Sequence, residues 1–282
     1  MISFVFFGTS EFAVYVLDEL KNKGFVPKLL VTQPDKPQGR KLIPTPSPVK
    51  IWAKKNGISI LEPLKFDSEF FSTLNAERQS LFIVASYGKI IPDEILNIPP
   101  LKTLNVHPSL LPKLRGASPL QTAILTEEKT GVSIMRLDAE MDHGPIIAQK
   151  EITISPWPPR VDILEETLGR EGGKLLADTI PDWEGGKLKE KPQDHNKATY
   201  TTKISKDDGL LDLNNDSFIN YKKIQAYYGW PGAYFFAENK GKKMRVIVKD
   251  ATYSNGELEI TRVIPEGKNE MSYADFKKWI GV

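Results

Sequence analysis

Asn105 and His107 stand two residues apart in the short run Thr103–His107, so on a strand their side chains point to the same face. An amide that donates without charge, beside an imidazole that offers a proton or a positive charge, can stabilise a developing oxyanion. The pair could equally be a satisfied structural feature. Further on, Asp138, Glu140 and Asp142 place three carboxylates within five residues. They supply a general base if the fold brings them to Asn105 and His107, and read as a solvated turn if it does not.

Other chemistries find little support. The chain has no Cys, which excludes a thiolate metal site, a cysteine nucleophile and a disulfide scaffold. Its three histidines, His107, His143 and His195, are not at the close helical spacing of a metalloprotease, so no metal is expected. The first strand–helix turn contains only Gly8, where a dinucleotide fingerprint needs three spaced glycines. A Gly-Lys-Ser/Thr phosphate loop is missing too, and a nicotinamide cofactor is not expected.

The elements that must position these residues follow from periodicity. Ile2–Phe7 is a nearly continuous apolar run, as in a strand covered on both faces. Glu11–Lys23 reads as an amphipathic helix with Ser10 as cap, and Ser47-Pro48 as the start of a second helix. Further strands are expected at 28–31, 57–61, 80–85 and 103–107, then a pair at 131–137 and 145–154, then a helix over 161–177. Short strands alternating with helices predict an open, Rossmann-like, mostly parallel α/β sheet, with ligands at the carboxyl ends of its strands. Gln33–Pro46, with four prolines and one glycine between its ends' neighbours, is expected to be an irregular, functional loop. After Pro181 the pattern changes. We expect a catalytic domain over 1–184, a linker over 185–202 and a small β-rich domain over 203–282, with helices near 219–228 and 273–280.

The 282 residues carry 38 Lys+Arg against 36 Asp+Glu, a net charge of +2. That near-neutrality conceals two basic clusters. Residues 35–60 hold Lys36, Arg40, Lys41, Lys50, Lys54 and Lys55 against Asp35 alone, and residues 239–249 hold Lys240, Lys242, Lys243, Arg245 and Lys249 with no acid. Either could follow a phosphate backbone or be a solvated face. The apolar run Met1–Phe7 is too short for a signal peptide, and no later run reaches the ~18 apolar residues of a membrane helix, so no membrane association and a cytoplasmic location are expected.

The two chemical stretches together resemble the formyltransferase family that uses 10-formyltetrahydrofolate. That family has an Asn-x-His motif, a Ser-Leu-Leu-Pro loop, Arg-Gly, and an Asp-x-Gly motif. Here these are Asn105/His107, Ser109–Pro112, Arg115-Gly116 and Asp142/Gly144. The resemblance is closest to the members that act on methionyl-tRNA and spans nearly the whole chain. It includes Phe7-Gly8-Thr9, Thr32–Pro37, Gly39-Arg40, Pro46–Lys50, Tyr87-Gly88, Thr130-Gly131-Val132, Tyr200 and Trp230-Pro231. Two departures stand out. His143 follows the motif aspartate where the family usually has Thr or Ser, and the chain ends soon after Met271-Ser272, so a shorter carboxyl-terminal domain is expected.

The resemblance implies attack by the α-amine of initiator methionyl-tRNA on the formyl carbon, with tetrahydrofolate leaving and no metal required. It implies that Asn105 and His107 stabilise the oxyanion. Asp142 would raise the His107 pKa and help carry the amine proton to the leaving nitrogen. The folate pocket is expected from Ser109, Leu110, Leu111 and Pro112, from Tyr87, Gly88 and Ile90, and from Asp138. Lys36, Arg40 and Lys41 would contact the acceptor stem, and Lys240, Lys242, Lys243 and Arg245 the phosphates, from a small OB-like barrel. A monomer is expected. The competing readings are a sugar-nucleotide N-formyltransferase, a formyltetrahydrofolate hydrolase, and an RNA-binding protein on an inactive scaffold of this family.

Overall fold

The structure, a computed structural model, describes residues 2–38, 42–127 and 129–281. The chain divides into two compact units. Unit 1 comprises Met1–Gly116, Lys129–Thr153 and Glu165–Tyr200, and unit 2 comprises Ala117–Glu128, Ile154–Leu164 and Thr201–Val282. Residues 185–200, expected as linker, therefore group with unit 1.

In chain order the elements are β1 (Phe4–Gly8), α1 (Glu11–Asn22), β2 (Leu29–Val31), β3 (Lys36–Gln38), β4 (Ile43–Thr45), α2 (Pro48–Asn56), β5 (Ser59–Leu61) and α3 (Ser68–Ala76). They continue with β6 (Leu81–Ala85), α4 (Asp93–Leu96), β7 (Thr103–His107), β8 (Arg115–Gly116), α5 (Pro119–Thr126), β9 (Thr130–Arg136), β10 (Ile146–Ile152) and α6 (Val161–Glu184).

Unit 1 is built on a seven-stranded sheet in the order β10-β9-β7-β6-β1-β2-β5. The pairs from β5 through to β7 are parallel, and β9 and β10 close one edge antiparallel. The strand order reverses beside β1, with β2 on one side and β6 on the other, so the turns after β1 and β6 form a switch point for ligands. They are tied together where Thr9 Oγ1 donates to the Tyr87 carbonyl at 2.9 Å. β1 and β6 are buried along their whole length, which is why they read as unbroken apolar runs.

Four local expectations are revised. Pro37 and Pro44 do not prevent β3 and β4 from pairing as a short antiparallel hairpin, because they face each other in register within a pair that has no further strand beside it among the described residues. The helix begun at Val161 runs through Pro181 to Glu184, since its buried Leu176, Ala177 and Ile180 outweigh one lost backbone hydrogen bond. The short helices α3, α4 and α5 are not among the expected elements. Ser10 occupies the N-cap position of α1 without a side-chain bond, whereas Ser47 caps α2 by accepting the Lys50 N–H at 3.0 Å.

Unit 2 contains α5, the start of α6 and the helix α7 (Ser217–Ala226). Its sheet is four-stranded and antiparallel, with β12 (Tyr234–Asn239), β13 (Lys242–Ser254), β14 (Glu257–Pro265) and β15 (Met271–Ser272) in sequence order, followed by α8 (Tyr273–Ile280). The two-residue β11 (Tyr200–Thr201) precedes them. A core of Leu211, Ile224, Phe235, Val246, Val263 and Phe276 holds this small barrel-like unit together. Among the described residues no helix is long and apolar enough to cross a membrane.

Candidate active site

Strand β7 puts Leu104 and Val106 into the core and Asn105 and His107 on the opposite face, at 8% and 4% exposure. After it, the Pro108–Leu114 turn folds back and fixes His107. The His107 Nε2 lies 3.0 Å from the Leu114 carbonyl, and a carbonyl only accepts, so Nε2 carries the proton and donates. The other nitrogen, Nδ1, then faces the Asp142 Oδ1 at 3.6 Å. That is ion-pair range but longer than a direct hydrogen bond, as is common before substrate draws catalytic groups together. The Asn105 amide has no hydrogen-bond partner among the described residues. It is a nearly buried donor left free beside a committed imidazole.

Asp142 reaches this position on a left-handed turn, with φ of 52°, a conformation Asp tolerates better than most residues. Its Oδ2 accepts the Gly116 N–H at 2.8 Å. Two residues on, Gly144 packs so closely that a Cβ there would lie 2.0 Å from the Arg136 carbonyl oxygen. The glycine of the Asp-x-Gly motif is required by backbone approach. The departure at His143 is answered locally: its Nδ1 pairs with the Asp138 Oδ2 at 2.9 Å, and its ring stacks on His195 at 4.1 Å between centroids. Asp138 is thus engaged with His143. Glu140 is exposed.

The expected pocket residues divide into two groups. The Ser109 hydroxyl is committed to the Lys113 carbonyl at 2.6 Å, and Leu111 packs on Met135 and Ile146. Tyr87 is 2% exposed, its ring edge-on to Phe7, and its hydroxyl is buried with no partner among the described residues. Burial pushes this phenol up to about 12. At these three positions the side chain is turned into the protein, and the Ser109 and Leu111 backbone groups and the Tyr87 carbonyl are themselves held by internal hydrogen bonds. Leu110 and Pro112 are half-buried, and Gly88 and Ile90 are exposed on the turn after β6.

Sequence reasoning missed the groups that hold this turn. Ser133, buried in β9, donates to the Ser109 carbonyl at 2.7 Å and accepts from Leu111 N, while Gln149 Nε2 donates to both Ser133 Oγ and the Leu111 carbonyl. Polar residues at facing register positions of apolar strands were the available signal. Gln33 was also missed: its Nε2 donates to the Tyr87 carbonyl at 2.6 Å, and its Oε1 accepts from Lys36.

Of the basic residues, Arg40 and Lys41 lie outside the described residues. Lys36 is exposed but engaged with Gln33. Lys50 is not a free cation, since the hydrogen bonds it donates to Asp35 and Glu62 hold its ammonium above the ordinary lysine range. In unit 2, Lys240, Lys242 and Lys243 are exposed on the β12–β13 hairpin, with Lys243 over the Phe236 ring. Arg245 is half-buried, its guanidinium 3.7 Å from the Tyr234 ring centre.

The family model described as formyl transferase matches residues 1–180, more than half of the chain. The chain belongs to the formyl transferase family. A methionyl-tRNA formyltransferase of Chloroflexus aggregans is 41% identical over 245 residues, covering 86% of this chain and 78% of that protein. One from Thermus thermophilus is 38% identical over 299 residues, covering 98% and 96%. An N-formyltransferase from Helicobacter canadensis, solved with folinic acid and dTDP-3-aminofucose, superposes with a TM-score of 0.66 at 20% identity, over 90% of this chain and 89% of that one. At that identity the likeness is one of fold. The resemblance carried by the two motifs is borne out, and so is the fold class: a Rossmann-like formyltransferase sheet with a small barrel-like carboxyl-terminal unit. This formyltransferase shows, among its described residues, no cluster of three or more His, Asp or Glu placed for a metal ion.

Proposed function

We propose that this formyltransferase transfers the formyl group of 10-formyltetrahydrofolate to the α-amine of methionyl-tRNA, with initiator tRNA as acceptor. Methionyl-tRNA formylation is the activity in the names of relatives 38–41% identical over most of this chain. The sugar-directed neighbour is far more distant in sequence.

The observation that carries the mechanism is Asn105, a buried residue whose amide has no hydrogen-bond partner among the described residues, beside the His107–Asp142 pair. When bound, the folate-derived donor supplies an electrophilic formyl carbon. Asn105 donates to its oxygen as charge develops there, a contact worth about 2.7–4 kcal/mol in comparable sites. His107, with Nε2 held by Leu114, presents Nδ1 towards Asp142, and the carboxylate receives the amine proton on its way to the leaving nitrogen. The turn after β6, with Gly88 and Ile90, and the Leu110–Pro112 segment frame the donor, with Tyr87, Ser109 and Leu111 holding these turns in shape from behind and Asp138 fixing His143 at the rim. Lys36, Arg40 and Lys41 address the acceptor stem, and Lys240, Lys242, Lys243 and Arg245 the phosphates. The residues at 203–282 thus serve as a tRNA-binding part, the enzyme works as a monomer, and a charged-tRNA acceptor puts the reaction where translation takes place, in the cytoplasm.

The test is a comparison of kcat/KM for methionyl-tRNA, for a nucleotide-linked amino sugar and for water as acceptors. We expect methionyl-tRNA to exceed the others by orders of magnitude. Preference for the amino sugar, or release of free formate, would overturn the reading.

A further inference from the structure

The stretch 185–200 bears on the catalytic loop through two side chains. It is anchored to β10 by a reciprocal backbone pair, with Ile146 N–H donating to the Lys191 carbonyl and Lys191 N–H to the Ile146 carbonyl, both at 2.9 Å. Two residues further, the buried Gln193 directs its amide across the Asp142 turn. Its Nε2 donates to the Asp142 carbonyl at 3.0 Å and to the Gly144 carbonyl at 2.7 Å. Between those two residues, His143 stacks on His195 with an interplanar angle of 4°. Residues 142, 143 and 144 are therefore each held from the 193–195 segment.

Gln193 is itself oriented. Its Oε1 accepts from Arg115 Nη2 at 2.6 Å and from Nε at 3.2 Å. Arg115 is 1% exposed, and its Nη2 also donates to the His195 Nδ1 at 3.0 Å. A guanidinium only donates, so Oε1 must face it, and the Nε2 end of the amide must face the two carbonyls. The buried fork of Arg115 thus removes the amide's rotational ambiguity. This matters because Asp142 adopts a left-handed backbone, and a turn of that kind persists where its surroundings fix it.

We propose that Gln193 is a positioning residue for Asp142, setting the carboxylate against His107 through the backbone of the loop, with Arg115 setting Gln193. The proposal rests on Asp142 being the proton carrier, and Gln193 lies outside residues 1–180 matched by the family model.

The discriminating variant is Gln193→Glu. It keeps the length and the acceptor for Arg115 but turns an oxygen towards two carbonyls. We expect kcat to fall between about 10- and 100-fold, the effect of sub-ångström to ångström misplacement, with KM for donor and tRNA unchanged. Gln193→Met, which deletes the donors without adding charge, should do the same and covers the case in which the Glu variant misfolds. In an Asp142→Asn background Gln193→Glu should have almost no further effect on kcat, because a residue acting through Asp142 has nothing left to position. Native kcat in both Gln193 variants, or the same fold-loss with and without Asp142, would overturn the role of Gln193. Full activity of Asp142→Asn alone would instead overturn the proton-carrier reading and the positioning role with it.

Discussion

Asp142 divides its carboxylate between two partners: Oδ1 faces His107 Nδ1 at 3.6 Å, and Oδ2 accepts the Gly116 N–H at 2.8 Å. One oxygen is structural and the other is directed at the imidazole. Asp142→Asn can keep the Gly116 bond through its amide oxygen while losing the proton acceptor. We expect kcat to fall by about 10²–10⁴-fold with the melting temperature nearly unchanged. Steady-state kinetics beside a thermal melt checks this, and a near-native kcat would remove the assigned role.

Asn105 makes a different prediction because its amide has no hydrogen-bond partner among the described residues. Asn105→Ala deletes a donor used only when substrate is present, so kcat should fall by about 10²–10³-fold while stability holds. A large loss of stability with modest loss of kcat would mark Asn105 as a structural residue.

Tyr87 tests the boundary between pocket and core. Its hydroxyl is buried without a partner among the described residues, so Tyr87→Phe should raise stability at neutral pH by up to about 1 kcal/mol. The folded-state value is raised from 10.0 to about 12, so the stability tied to the neutral phenol is present below pH 10 and lost as pH rises through 12. The Phe variant should lack that share of the alkaline loss in denaturant titrations across this window. The donor KM should stay constant, because residue 87 uses its carbonyl to hold Thr9 and Gln33. A raised donor KM would move the ring into the pocket.

The exposed hairpin lysines carry the prediction about RNA. Replacing Lys240, Lys242 and Lys243 by Ala should raise KM for tRNA and lower the slope of log affinity against log salt by roughly two to three. kcat and the donor KM should not move. An unchanged salt slope would remove the hairpin from tRNA contact.

Much of the candidate site was legible because its residues are concentrated in short strand-end motifs. Asn105 and His107 share a face by simple alternation, and Asp142 and Gly144 follow at fixed spacing. The buried strands β1 and β6 were legible as apolar runs for the same reason of local pattern. The side chains that hold the Asp142–Gly144 turn were not legible. Gln193 and His195 sit in a charged stretch that reads as linker, and only tertiary contact with buried Arg115 reveals their place. Charge counting also misled: Lys50 belongs to the basic cluster by sequence, yet Asp35 and Glu62 neutralise it in space. Pro181 reads as a helix terminator until the packing of Ile180 and its neighbours is known.

The most direct measurement combines the full chain with charged initiator methionyl-tRNA and 10-formyltetrahydrofolate, deacylates the RNA and assays for formylmethionine. The account predicts formylmethionine appearing in step with tetrahydrofolate, with the rate collapsing for Asn105→Ala and Asp142→Asn. Donor consumption with release of formate and unmodified methionine would contradict it.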